Sequence, residues 1–205
     1  QEKLRVPEEL TAALSSLAKK RHLTLYTLLQ GAWILTLSKE NGRDDIVTGS
    51  IFSGRSTALR EMERGVGLFF NILPVRMQVK PNTALLSWLH ELQDKSVETS
   101  RYEHTPIRKI REWCEIPRSR FLFESYLVSE QLPDLQGVFK EFYYKIGGNI
   151  IESLAQTEHP LRVEIFLSDP IIMVSINYYK RYYTTDEITG ILKKFHTLLE
   201  GFAAN

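Results

Sequence analysis

The histidines of this sequence stand alone. His22, His90, His104, His159 and His196 never occur as a pair and never take the His-x-x-x-His spacing that sets two ligands on one helix face. Cys114 is the only cysteine, so neither a Cys-x-x-Cys ligand pair nor an intrachain disulfide can form. Metal binding is therefore not expected. The sequence holds no Gly-x-x-x-x-Gly-Lys phosphate loop and no Gly-x-Ser-x-Gly nucleophile elbow. Ser53, in Ser53-Gly54-Arg55, follows an apolar run and could act as a nucleophile only beside a base. No histidine is near it in sequence, and a serine in such a loop usually forms a turn. Cys114 lies between Trp113 and Glu115, where a packed, inert thiol is expected. His90 and His196 fall on helical patterns, as surface or hydrogen-bonded residues.

Two charged or aromatic runs remain. Arg108, Lys109, Arg111, Arg118 and Arg120 form the densest positive stretch, read as a solvated helix face; the alternative is contact with an acidic partner. Tyr178-Tyr179-Lys180-Arg181-Tyr182-Tyr183 reads as strand-end packing rather than a platform for stacked bases. From these residues alone the chain is a domain without a self-contained active site.

The elements that would position these groups follow from periodicity. A helix over 7–20 has Pro7, Glu8 and Glu9 at its start and Leu10, Leu14, Leu17 and Ala18 on one face. A helix over 24–40 is apolar nearly all round and should be buried, with Asn41-Gly42 ending it. Strands are expected over Ile46–Phe52, Phe69–Val79, Phe123–Ser129, Glu141–Ile146, Leu161–Leu167 and Ile171–Tyr179, the last two joined by a turn at Asp169-Pro170. Asn82 and Thr83 are placed to cap a third helix carrying Leu85, Trp88, Leu89 and Leu92, and a short helix begins at Pro106. Thr184 and Glu187 have the capping-box spacing for a last helix that buries Ile188, Ile191, Phe195, Leu198 and Phe202. The fold class is α/β: one mixed β-sheet flanked by helices.

Composition narrows the partners. With 26 Lys+Arg against 25 Asp+Glu among 205 residues, the formal charge of +1 implies no polyanion, and nucleic acid is not an expected partner. The longest apolar stretch, Gly67–Val75, is interrupted by Asn71 and Pro74 and falls far short of the ~20 residues that span a bilayer, so no membrane is expected either. The chain opens on Gln1-Glu2-Lys3, without methionine, basic n-region or apolar h-region. The expectation is that residue 1 is not the natural start, that no signal peptide is present, and that the protein is cytoplasmic.

Thr48–Arg55, Val66–Arg76, Tyr102–Ile107 and Leu122–Ser125 together resemble the condensation domains of nonribosomal peptide synthetases. Thr48-Gly49-Ser50-Ile51-Phe52-Ser53-Gly54-Arg55 resembles the family's strand and Ser-Gly-Arg-Pro loop. Val66-Gly67-Leu68-Phe69-Phe70-Asn71-Ile72-Leu73-Pro74-Val75-Arg76 is similar to its Val-Gly-x-Phe-Ile-Asn-Thr-Leu-Pro-x-Arg core, and is the most specific of the four. Tyr102-Glu103-His104-Thr105-Pro106-Ile107 resembles the His-Gln-x-x-Pro-Phe segment, and Leu122-Phe123-Glu124-Ser125 a strand that follows an arginine-rich loop. The sequence departs from the pattern at Ser56, usually Pro, and Ile72, usually Thr. With Asn71 and the Leu73-Pro74 pair it is most similar to elongation domains joining two L-configured residues.

The resemblance implies one lobe of a chloramphenicol acetyltransferase-like fold, in which two lobes form a V around a tunnel. Residues 1–205 would be the C-terminal lobe; the N-terminal lobe, with the His-His-x-x-x-Asp-Gly motif, is absent from this sequence. The family joins a carrier-bound thioester to an acceptor amine. The implied partners are thus the N-terminal lobe of the same domain and the donor and acceptor peptidyl carrier proteins. No cofactor is implied on this chain itself; the phosphopantetheine arms of the carriers tether the substrates. No residue of this chain is expected to be catalytic. Arg55 would face the seam and pair with the motif's aspartate, Ser53 and Gly54 would shape its loop, and Asn71 would hydrogen-bond backbone. Two alternatives stand beside this reading: a non-catalytic condensation-like module that recruits partners, and a lobe of a coenzyme A-dependent acyltransferase.

Overall fold

The computed structural model describes residues 1–55, 67, 69–114, 116–117, 119–131, 159–168 and 170–204. In chain order they form β1 (Glu2–Val6), α1 (Glu8–Lys20), α2 (Leu25–Asn41), β2 (Asp45–Phe52), β3 (Asn71–Gln78), α3 (Leu85–Ser100), α4 (Ile107–Trp113), β4 (Ser125–Gln131), β5 (Leu161–Ser168), β6 (Ile171–Tyr178) and α5 (Thr185–Ala203). The strands make one sheet in the order β1-β6-β5-β4-β2-β3. β4 runs parallel to both of its neighbours, β2 and β5, and the other pairings are antiparallel. The sheet is mixed, as the α/β reading requires.

Alternation decides the faces. Val163 stands opposite Ile176 and Ile165 opposite Val174, and all four are buried in one cluster with Val75, Met77 and Leu127. That face is covered by α1, α2, α3 and α5 through Leu14, Leu28, Trp33, Leu89 and Phe195. α2 is buried on every side from Thr27 to Ile34, as its lack of a polar face requires. A smaller cluster of Phe123, Tyr126 and Val128 packs with Val47, Ile51, Ile72 and Ile107. Because successive strand residues point to opposite faces, Val47 and Ile51 put this cluster, and α4 with it, on the other side of the sheet from Ile46.

Hydroxyl and indole groups link α2 to the sheet and β2 to β4. The Tyr26 hydroxyl lies 2.6 Å from Ser50 Oγ, and burial pushes its phenol up to about 12. Thr48 Oγ1 donates to the Ser125 carbonyl at 3.0 Å, and Trp33 Nε1 donates to Ser125 Oγ at 3.1 Å.

The structure departs from the sequence expectations in five places. β1 is an element the periodicity does not announce, since Glu-Lys-Leu-Arg-Val offers only Leu4 and Val6 between charges. It is an edge strand, where such charges keep the open side from pairing with other chains. α3 is not capped by Asn82 or Thr83; Ala84 occupies its N-cap without a side-chain bond, while Thr83 N–H closes a turn on the Lys80 carbonyl. The strand expected from Phe69 begins only at Asn71, and the one expected from Phe123 begins at Ser125. Cys114 is exposed rather than packed, because α4 has no fully buried residue and Cys114 is its C-cap. The strand expected at Glu141–Ile146, and Arg118 of the basic run, lie outside the described residues.

The expected capping box of α5 is formed. Thr184 Oγ1 accepts from the Glu187 N–H at 3.3 Å, and Glu187 Oε2 accepts from the Thr184 N–H at 2.7 Å. The Thr184 bonds hold the Glu187 carboxyl below the usual carboxylate range. Thr184→Ala is expected to lower the thermal midpoint by roughly 2–4 °C, read by circular dichroism. An unchanged midpoint would mean that packing alone fixes the start of α5.

Candidate functional site

The β2–β3 hairpin brings the Ser-Gly-Arg loop next to the Asn-containing strand. Phe52 and Asn71 are the last paired residues of the two strands, and the loop leaves the sheet at Ser53. Gly54 has a φ of +64°, the left-handed region that side chains resist. A Cβ there would lie 1.8 Å from the Phe69 carbonyl oxygen, so the outgoing and returning limbs press together at this point. Arg55 N–H donates to Ser53 Oγ at 3.3 Å. The Arg55 guanidinium carbon stands 4.6 Å from the centroid of the Phe69 ring, a cation–π stack.

The segment between α3 and α4 closes the site from the other side. Glu103 is only 4% exposed, and its Oε2 accepts from the Gly54 N–H at 3.0 Å. Asn71 spends its side chain on backbone. Its Nδ2 donates to the carbonyls of Glu103 at 2.9 Å and Thr105 at 2.7 Å, and its Oδ1 accepts from the Ile72 N–H at 2.9 Å. Pro106 then starts α4, whose Ile107 packs on Ile72 and Ile51 through the second apolar cluster. Phe123, from the fourth segment, belongs to that cluster and stacks on His159 at 4.7 Å.

All four sequence segments are therefore tied by hydrogen bonds, the fourth through Ser125 to Thr48 and also through the apolar packing of Phe123. Ser53, Gly54 and Arg55 leave the sheet just after Phe52, the residue paired with Asn71. Ser53 accepts from backbone, and among the described residues no histidine or carboxylate bonds to it, which leaves it a turn former. His104 is half exposed, with Nε2 3.9 Å from Glu103 Oε1. Val66 and Leu68, at the head of the second segment, and Ser56 lie outside the described residues.

Sequence reading missed Glu103 and Phe69 as members of the site. Glu103's place in the Tyr102–Ile107 segment was the available signal, but one carboxylate between a tyrosine and a histidine does not reveal a burial partner 49 residues away. Among the described residues no group of three or more His, Cys, Asp and Glu could hold a metal ion. No helix among them is long and apolar enough to cross a membrane.

The observation that decides the family is a match along the entire chain: the profile of the Condensation domain family covers residues 1–205. The chain belongs to the condensation-domain family. One of the linear gramicidin synthase subunits of Brevibacillus parabrevis is 34% identical over 204 residues, covering 100% of this chain and 3% of its own length. Another subunit of the same synthase is 35% identical over 204 residues, covering 98% of this chain and 4% of its own. This condensation-domain chain thus spans a small part of the relatives it matches.

Solved structures agree on the fold. The condensation domain of the Monacolin K polyketide synthase MokA superposes with a TM-score of 0.79 at 16% identity, over 100% of this chain and 47% of that one. Holo-AB3403, a four-domain nonribosomal peptide synthetase, gives a TM-score of 0.82 at 16% identity over 100% of this chain and 16% of that one. At these identities the likeness shows the architecture, a condensation-domain sheet with its helices.

Proposed function

We propose that residues 1–205 are the C-terminal lobe of a nonribosomal peptide synthetase condensation domain, and that the complete domain forms an amide between carrier-bound substrates. The observation that carries this reading is a pairing of coverages. The family profile takes in the whole chain, while the chain accounts for 47% of the MokA condensation-domain structure. Synthetase relatives at 34% and 35% identity support the peptide-forming branch.

In this reading the acceptor amine nitrogen attacks the donor thioester carbonyl. A C–N bond forms, the C–S bond breaks, the donor phosphopantetheine leaves as a thiolate, and the proton that the base on the other lobe takes from the amine then passes to that thiolate. This chain supplies tunnel wall, carrier-protein surface and Arg55. A guanidinium is charged at every physiological pH and bonds a carboxylate through two parallel N–H groups, which suits a seam contact with an aspartate of the other lobe. Gly54 and Ser53 shape its loop and Asn71 fixes the strand beneath it. The partners are the N-terminal lobe and the donor and acceptor carriers, and the setting is the cytosol. The phosphopantetheine arms enter as tethers of the substrates.

The test is mass spectrometry of the amide product from loaded donor and acceptor carriers. The parent protein should give product, the isolated chain none above the uncatalysed rate, and Arg55→Ala in the parent at least tenfold less, about 1.4 kcal/mol in the barrier. Product from the pure chain would overturn the half-domain reading. A second reading, a non-catalytic recruiter, is favoured by one observation: the X-domain in complex with OxyB from teicoplanin biosynthesis superposes with a TM-score of 0.79 at 19% identity. A parent that carries no paired-histidine motif and makes no amide would select it.

A further inference from the structure

We propose that Glu103 is the positioning residue of the Ser53–Arg55 loop, setting the place of Arg55 through Gly54. This rests on the reading of Arg55 given above and adds a residue to it.

Glu103 is buried although ionisable, and a buried carboxylate is costly unless donors meet it. Its Oε2 takes the Gly54 N–H at 3.0 Å, and a bond to a charged acceptor is roughly twice as strong as one between neutral groups. Its main-chain carbonyl takes the Asn71 Nδ2 at 2.9 Å. The side chain therefore holds the limb that leaves β2, while the main chain holds the limb that enters β3.

Between these two grips lies the stack of Arg55 on Phe69, one residue after Gly54 and two before Asn71. Gly54 cannot slide toward Phe69, because the two backbones are already in contact. Pulling its N–H toward Glu103 thus fixes the direction in which the chain presents Arg55. Tyr102 and His104, on either side of Glu103, are exposed, so the inward turn belongs to Glu103 alone of the three.

The experiment uses the full-length parent protein. Hydrogen exchange over 53–55 should show the Gly54 amide opening at least tenfold faster in Glu103→Ala. In Glu103→Gln, whose side-chain oxygen can accept the same bond, exchange should return to within threefold of wild type. Glu103→Ala should lower kcat for amide formation about tenfold with KM within twofold, and Glu103→Gln should recover most of it. The double variant with Arg55→Ala should be no slower than Arg55→Ala alone, a coupling that a purely structural role would not produce.

Unchanged exchange at Gly54, or effects of the two substitutions that multiply, would overturn the proposal. If Glu103→Ala does not fold, Glu103→Asp withdraws the carboxylate by one methylene, and wild-type exchange and turnover there would overturn it equally. If the wild-type parent makes no amide, the functional reading fails, while the exchange measurement still decides whether Glu103 holds the loop.

Discussion

Gly54→Ala is expected to destabilise the protein by about 3 kcal/mol or more, lowering the thermal midpoint by roughly 6–12 °C. Two costs add. A left-handed backbone at φ +64° costs a side chain of L configuration about 1–2 kcal/mol. The new Cβ would also sit 1.8 Å from the Phe69 carbonyl oxygen, so backbone must move, and the Gly54 bond to the Glu103 carboxylate moves with it. Losing a hydrogen bond to a charged group costs about 1.5–3 kcal/mol. Gly42 is the control. It has a φ of +60° with nothing within 4 Å of its Cβ position, so Gly42→Ala should cost only about 1 kcal/mol. Denaturant titration of both variants reads the contrast. Equal losses would mean that the limbs of the loop do not touch as described.

Trp33→Ala should cost about 3–5 kcal/mol, the usual range for removing a large aromatic from a packed core. Trp33 is 1% exposed, meets the Phe195 ring edge-on at 6.2 Å, and donates to Ser125 Oγ at 3.1 Å. It ties α2 to α5 and to the parallel strand β4 at once. Trp33→Phe keeps much of the ring and loses the donor. Ser125 Oγ retains Thr48 Oγ1 at 3.2 Å, so that variant should lose about 1–2 kcal/mol. Urea midpoints with unchanged slopes would establish both values. A loss under about 1 kcal/mol for Trp33→Ala would show that the layer between α2 and the sheet is not packed on this residue.

What the sequence reveals follows from how local each signal is. The Leu161–Leu167 alternation, the apolar girth of 24–40 and the Thr184–Glu187 spacing each lie within a few residues, and each became the expected element. β1 escapes because its identity comes from its partner: Leu4 is a strand residue by virtue of Val174, 170 positions away. The site divides in the same way. Gly54 and Asn71 are named by short motifs, whereas Glu103 gains its role only when the turn after α3 folds back on the β2–β3 hairpin. Cys114 departs from expectation for a related reason: Trp113 beside it suggests packing, yet at 69% exposed Trp113 faces outward on a helix with no fully buried residue.

The pairing of β1 with β6 sets the order in which this chain can mature on the ribosome. Glu2 meets Ile176 and Val6 meets Ile172, so β1 waits for β6 before it has a neighbour. Until then Leu4 and Val6 have no strand to pair with. Contacts between such distant residues close slowly because the loop entropy is lost before any contact repays it. β1 can dock only after translation has passed Tyr178, so of the six described strands of this sheet the one earliest in sequence depends on the one latest in sequence.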